Sequence, residues 1–124
     1  IGCRMRPDFT SQPIAGFSLA DFQAHAAEAA QFLRVLANEH RLLVLCHLLV
    51  FGEMTVTELV ERVGLSQSAL SQHLARLRED GLVTFRRESQ TLHYRVCDDR
   101  AVRLLAVLKD IFCPELGDNL EQTR

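Results

Sequence analysis

A mainly α (α+β) fold in one domain is what this 124-residue sequence predicts, and three observations carry the prediction. Apolar residues recur at spacings of three and four along most of the chain, the period of a helix with one buried face. Ser, Asn, Thr or Asp stands before each such stretch, and Gly52, Gly64 and Gly81 close three of them, as helix starts and stops require. Residues 82–96 break the rhythm at length, with two successive β-rich hexapeptides. Composition agrees, since 48% hydrophobic and 24% charged residues suffice for a packed core and exclude wholesale disorder. The length holds one domain and hardly a second. No apolar run reaches the ~18 residues of a membrane span. The longest, Leu42–Phe51, is broken by His47. No basic segment followed by an apolar one opens the sequence, so secretion is not expected. Ile1 is not an initiator methionine, so the natural start is expected upstream. The cysteines, at positions 3, 46, 97 and 113, form no C-x-x-C pair and are too sparse for a disulfide scaffold, so a reducing cytoplasm is the expected location.

Residues 1–17, with Pro7, Pro13 and Gly16, lack periodicity and read as a flexible N-terminal arm. Ser18 opens the first helix, with Asp21 placed as in a capping box. Phe22, Ala26, Ala29, Leu33 and Leu36 line one face of it, and its alanines permit close approach of another helix. Asn38 caps a second helix, Glu39–Leu49, which is apolar nearly all round and is therefore expected to be central and buried. Met54-Thr55-Val56 reads as a brief strand, and Thr57 is expected to cap a helix over Glu58–Val63 that Gly64 stops. Ser66 caps a fourth helix running to about Asp80, with Gly81 as its stop. Two helices joined by a short Gly-containing turn fit a helix-turn-helix and equally an ordinary helical hairpin. The next segments decide between them. Leu82–Arg87 and Thr91–Val96, joined by Glu88-Ser89-Gln90, form a β-hairpin, and a hairpin directly after a helix-turn-helix is a wing. Asp98 or Asp99 caps a last helix, Ala101–Phe112. The order α-α-β-α-α-β-β-α is thus that of a winged helix-turn-helix over residues 18–113, with 114–124 as a tail. One chain of this size has no inside for both its first and last helices, whose apolar faces are the expected homodimer interface.

A helical wheel of the fourth helix separates Leu70, Leu74 and Leu77 from Ser68, Gln72, Ala75 and Arg76, with Gln67 and Ser71 on the flank. Hydroxyls, an amide and a guanidinium suit a DNA major groove, where Gln pairs with adenine and Arg with guanine. Ser66, Gln67, Ser68, Ser71, Gln72 and Arg76 are therefore candidate DNA contacts, with Arg86 and Arg87 of the wing beside the phosphates. His73 falls nearer the leucines and reads as a packing residue. The net charge of −2 hides an uneven distribution. Residues 65–97 carry five arginines against three acids, while the rest of the chain is net acidic.

The runs Leu36-Ala37-Asn38-Glu39-His40-Arg41-Leu42 and Leu65-Ser66-Gln67-Ser68-Ala69-Leu70-Ser71-Gln72-His73-Leu74-Ala75-Arg76-Leu77-Arg78, followed by Gly81-Leu82-Val83 and Tyr94, resemble the ArsR/SmtB family of bacterial winged-helix repressors. The resemblance covers roughly residues 20–113. It implies a homodimer built on the first and last helices, bound to a pseudo-palindromic double-stranded operator and released by a chemical signal. The family's common metal sites are not expected here. Where one branch has a Cys-x-Cys on the first helix of the helix-turn-helix, this chain has Thr57-Glu58-Leu59-Val60-Glu61. The other common site needs a second His near the end of the last helix, and no His follows His93. Zn²⁺ wants about four N or S ligands, and the sequence does not assemble them; His25, His40 and His47 read as structural or surface residues.

Two thiols remain. Cys46, in the second helix, and Cys113, at the end of the last, match by position the sensor pair of the persulfide-responsive branch of that family. The resemblance implies that persulfides or polysulfides crosslink the pair and release the operator, derepressing sulfide-response genes. Taken alone, Cys46 reads as a small buried hydrophobe. Cys97 reads as a half-buried strand residue and Cys3 as incidental. Competing readings are a repressor responding to As(III), Bi(III) or Cu(I) through the same thiols, a general thiol redox sensor, and a protein-binding winged domain. An enzyme is not expected, because no nucleophile–base constellation or phosphate-binding glycine loop is visible. No cofactor is expected either.

Overall fold

The computed structural model describes residues 14–113. Cys3, most of the expected arm and the whole of the expected tail lie outside the described residues. The elements follow the order read from the sequence: α1 (Leu19–Leu36), α2 (Glu39–Phe51), β1 (Met54–Thr55), α3 (Val56–Val63), α4 (Gln67–Glu79), β2 (Val83–Glu88), β3 (Thr91–Val96) and α5 (Asp99–Phe112). Their caps are those the sequence offers at four helices. The Ser18 hydroxyl accepts the Asp21 N–H, Asn38 Oδ1 accepts those of His40 and Arg41, Ser66 accepts that of Ala69, and Asp98 accepts that of Arg100. Each such bond satisfies a donor that the first helical turn leaves unpaired.

The third helix differs from expectation. Thr55, not Thr57, is its cap. The Thr55 hydroxyl accepts the Glu58 N–H at 3.2 Å, and the Glu58 carboxylate accepts the Thr55 N–H at 2.9 Å. This reciprocal box needs an acid three residues after the threonine. Thr55 has one, whereas Thr57 has Val60. The helix therefore starts at Val56, and β1 shrinks to Met54–Thr55.

The sheet order is β1-β3-β2, antiparallel throughout. Met54 pairs with Tyr94, and β2 pairs with β3 from Val83↔Val96 to Glu88↔Thr91. The turn is Ser89-Gln90, with Ser89 at φ 58°. β1 thus anchors the hairpin to the body of the molecule.

One core joins all the helices. Val35 and Leu36 of α1, Val44, Leu45 and Leu48 of α2, Leu59 of α3, Leu70, Leu74 and Leu77 of α4, and Ala101 and Leu105 of α5 are buried together with Met54, Leu82 and Val83. Burying a leucine contributes roughly 1.5–3 kcal/mol, so the three leucines of α4 fix which of its faces is left outward. Only one side of α2 meets the expectation of burial. Leu43, Cys46, Leu49, Val50 and Phe51 are exposed on this chain. Exposed likewise are Phe22 (47%) and Leu33 (53%) of α1 and Ile111 (63%) and Phe112 (71%) of α5, so these helices present apolar surface that no other described residue covers.

Candidate functional site

Gln67, Ser68, Ser71 and Gln72 are all exposed on the side of α4 opposite its buried leucines. Ser66 is committed to capping, and its hydroxyl also lies 3.4 Å from that of Ser68. Arg76 is only half-exposed. Its Nε donates to Asp80 at 2.9 Å, which orients the guanidinium along the last turn and leaves its terminal nitrogens free of that bond. His73 packs inward, its ring 5.8 Å from that of His40. Burial, then Arg41 and His40, lower its pKa, so the ring is neutral at neutral pH.

The wing is tied down more firmly than the sequence suggested. Arg86 Nε donates to both carboxylate oxygens of Glu53, at 3.0 and 3.1 Å, and its Nη1 reaches Glu88 at 3.2 Å. Those bonds, Glu53 first, push its pKa up. Arg87, on the opposite face of the strand, is exposed and has no ion pair among the described residues. Sequence reasoning also missed Arg78, whose guanidinium stacks 4.4 Å from the Phe85 ring and joins α4 to β2. Phe85 in turn meets its cross-strand partner Tyr94 edge-on, at 5.3 Å.

Cys46 and Cys113 are both free thiols. Cys46 stands on the outer side of α2, and Cys113 caps α5, its N–H donating to the Lys109 carbonyl at 2.8 Å. Although Cys46 is exposed, enough protein surrounds its sulfur that burial pushes the thiol up, with the charge of nearby Cys113 adding to the effect. Cys46 is therefore mostly protonated at neutral pH. Such a thiol is slow toward indiscriminate oxidants. A groove of about 240 Å³ opens beside it, lined by Cys46, His47, Val50, Phe51 and Arg62. His47 Nδ1 donates to the Leu43 carbonyl at 2.8 Å, which leaves Nε2 free of that bond. Its ring stacks near Phe51, and the Arg62 guanidinium lies 4.3 Å from the Phe51 centroid. Cys97 is exposed, not half-buried as expected, because it lies one residue past β3, with its Sγ–H donating to the Gly81 carbonyl at 3.4 Å. His25 is exposed beside Glu28. Among the described residues, no three His, Cys, Asp or Glu side chains converge in a way that could hold a metal ion. No helix among them is long and apolar enough to cross a membrane.

Comparison with known proteins points the same way as the geometry. Residues 38–84 match the family model described as bacterial regulatory protein, arsR family. The transcriptional activator HlyU of Vibrio cholerae is 42% identical over 99 residues, spanning 80% of this chain and 91% of that protein. A structure described as reduced HlyU from V. cholerae superimposes with a TM-score of 0.70 at 44% identity, over 77% of this chain and 99% of that one. The transcriptional repressor BigR from Xylella fastidiosa superimposes with a TM-score of 0.74 at 38% identity, over 78% of this chain and 98% of that one. A more partial likeness is to the arsenical resistance operon repressor of Escherichia coli K12, 39% identical over 66 residues, 53% of this chain and 56% of that protein.

Proposed function

The chain belongs to the arsR family of bacterial transcriptional regulators, and from that membership we propose that it is a homodimeric repressor whose Cys46–Cys113 pair reacts with persulfides and releases operator DNA. The observation that carries the reading is a pair of free thiols at the two places that sensing requires, Cys46 on the exposed side of α2 and Cys113 at the end of α5. A relative described in a reduced form supports a thiol chemistry for this branch.

The chemistry balances without an outside oxidant. The Cys46 thiolate attacks the outer sulfur of R–S–SH, the R–S–S bond breaks, and RSH departs, leaving Cys46–S–SH. The new persulfide, as its anion, attacks the outer sulfur's neighbour in a second R–S–SH and expels HS⁻. The Cys113 thiolate then attacks the inserted sulfur and expels RS⁻. The sum is a Cys46–S–S–S–Cys113 bridge, one H₂S and two RSH, the second donor being the oxidant. A plain disulfide needs Cα atoms about 4.4–6.8 Å apart, and an inserted sulfur relaxes that demand.

The consequence for DNA follows from packing. The inner side of α2 shares the core with the leucines of α4, so tying the end of α5 to the outer side of α2 stresses the helix that supports the reading helix. In a dimer it also shifts α5 at the subunit contact. Half-sites about 34–36 Å apart tolerate little change in the spacing of two reading helices.

Cys46→Ser and Cys113→Ser are expected to bind operator as tightly as the reduced wild type and to stay bound when polysulfide is added. Intact mass of the treated wild type is expected to show added sulfur and a crosslink between the two cysteines. An undiminished response in either variant, or a bound thiophilic metal ion as the species that releases DNA, would sink the assignment.

A further inference from the structure

The groove beside Cys46 has a chemical character that the thiol pair alone does not require. Its cation is Arg62, on α3, and no acidic side chain pairs with that guanidinium among the described residues. Its nearest acid one turn back, Glu58, is occupied by the Thr55 N–H in the capping box. The guanidinium carbon sits over the Phe51 ring, 4.3 Å from its centroid. A stacked arginine keeps its charge and its in-plane donors while losing conformational freedom, which preorganises it for a two-pronged carboxylate contact. The groove's volume, about 240 Å³, falls below the 300–1,000 Å³ typical of drug-sized ligands and suits a molecule of amino-acid size.

Building on the sensor reading of Cys46, we infer that this groove selects the sulfur donor: Arg62 and Phe51 form a recognition site for the carboxylate of a small organic persulfide. With the carboxylate on Arg62, the donor's sulfur end is directed along the groove toward Cys46. The Cys46 thiolate then bonds to the outer sulfur, the donor's S–S bond breaks, and the departing thiolate takes a proton from solvent. Sulfane sulfur moves from one thiol to another with no net oxidation.

The test compares N-acetylcysteine persulfide with its methyl ester, which differs by the carboxylate charge, as donors to the reduced full chain. The rate of sulfur addition to Cys46 is followed by intact mass. In the wild type the acid is expected to react about three- to fivefold faster than the ester, the size of an exposed ion pair. Arg62→Gln is expected to bring that ratio close to one, and Arg62→Lys, which keeps the charge but not the planar fork, to leave it in between. Because the readout is a ratio within each variant, a general change in Cys46 reactivity cancels. A wild-type ratio of one, or a ratio that survives Arg62→Gln, overturns the recognition site while leaving the sensor reading standing. Failure of Cys46 to take up sulfur from either donor overturns both.

Discussion

Arg86 and Arg87 are neighbours on β2, yet the alternation of a strand sends them to opposite faces and into different electrostatic surroundings. Arg86 is already compensated by Glu53 and Glu88, whereas Arg87 faces solvent without a partner among the described residues. Both arginines were candidate phosphate contacts from sequence, but only one brings an uncompensated charge to DNA. Arg87→Ala is therefore expected to flatten the slope of log K against log salt by about 0.9 for each subunit bound, or about 1.8 for the proposed dimer. Arg86→Ala is expected to flatten it by clearly less. Anisotropy titrations of operator binding at several salt concentrations would distinguish the two, and equal slopes would contradict the compensation. The outward row of α4, Gln67 to Gln72, was legible in the sequence because helical period alone sorts it from Leu70, Leu74 and Leu77. The Arg86–Glu53 clamp was not legible, since its partners stand 33 residues apart and meet only once β1 joins the sheet. Arg62 was missed for the same reason: its partner ring, Phe51, comes from the previous helix.

The third helix shows where local signals suffice and where they mislead. Thr55 and Thr57 both resemble helix caps, and the acid at the third following position separates them. Thr55→Ala is expected to destabilise the domain by about 1 kcal/mol, while Thr57→Ala, exposed within the helix, should change stability by less than roughly 0.5 kcal/mol. Urea denaturation of the two variants checks this, and the reverse order would return the cap to Thr57. Caps were readable at the other helices because each bond spans two or three residues. The pairing of β1 with β3 was not, because nothing within Met54–Thr55 specifies a partner some forty positions on. The burial of α2 was overestimated from its composition. Apolar residues all round a helix predict an interior only when neighbours cover every side, and here the side carrying Cys46 and Phe51 is left to solvent and to the groove.

A chain that buries the inner sides of α1 and α5 but exposes Leu33, Val107, Ile111 and Phe112 presents more apolar surface than a stable monomer usually carries. A second copy is the proposed cover. Ile111→Glu is expected to leave helical content unchanged, shift the protein to monomer in sedimentation, and weaken operator binding by roughly a hundredfold or more through loss of the linked second half-site. A dimer that persists with that substitution would place the interface elsewhere. The net charge of −2 also makes sense only across the whole molecule, because residues 65–97 carry five arginines against three acids while the remainder holds nine basic residues against thirteen acidic ones. Between α4 and β2, the two parts proposed to meet DNA, lie only Asp80, Gly81 and buried Leu82, and the Arg78 guanidinium sits over the Phe85 ring across the joint. Helix and hairpin are thereby tines of one fork on a single handle. A disturbance that reaches the handle swings both tines together, so a grip on the groove without a grip on the backbone has no mechanical route.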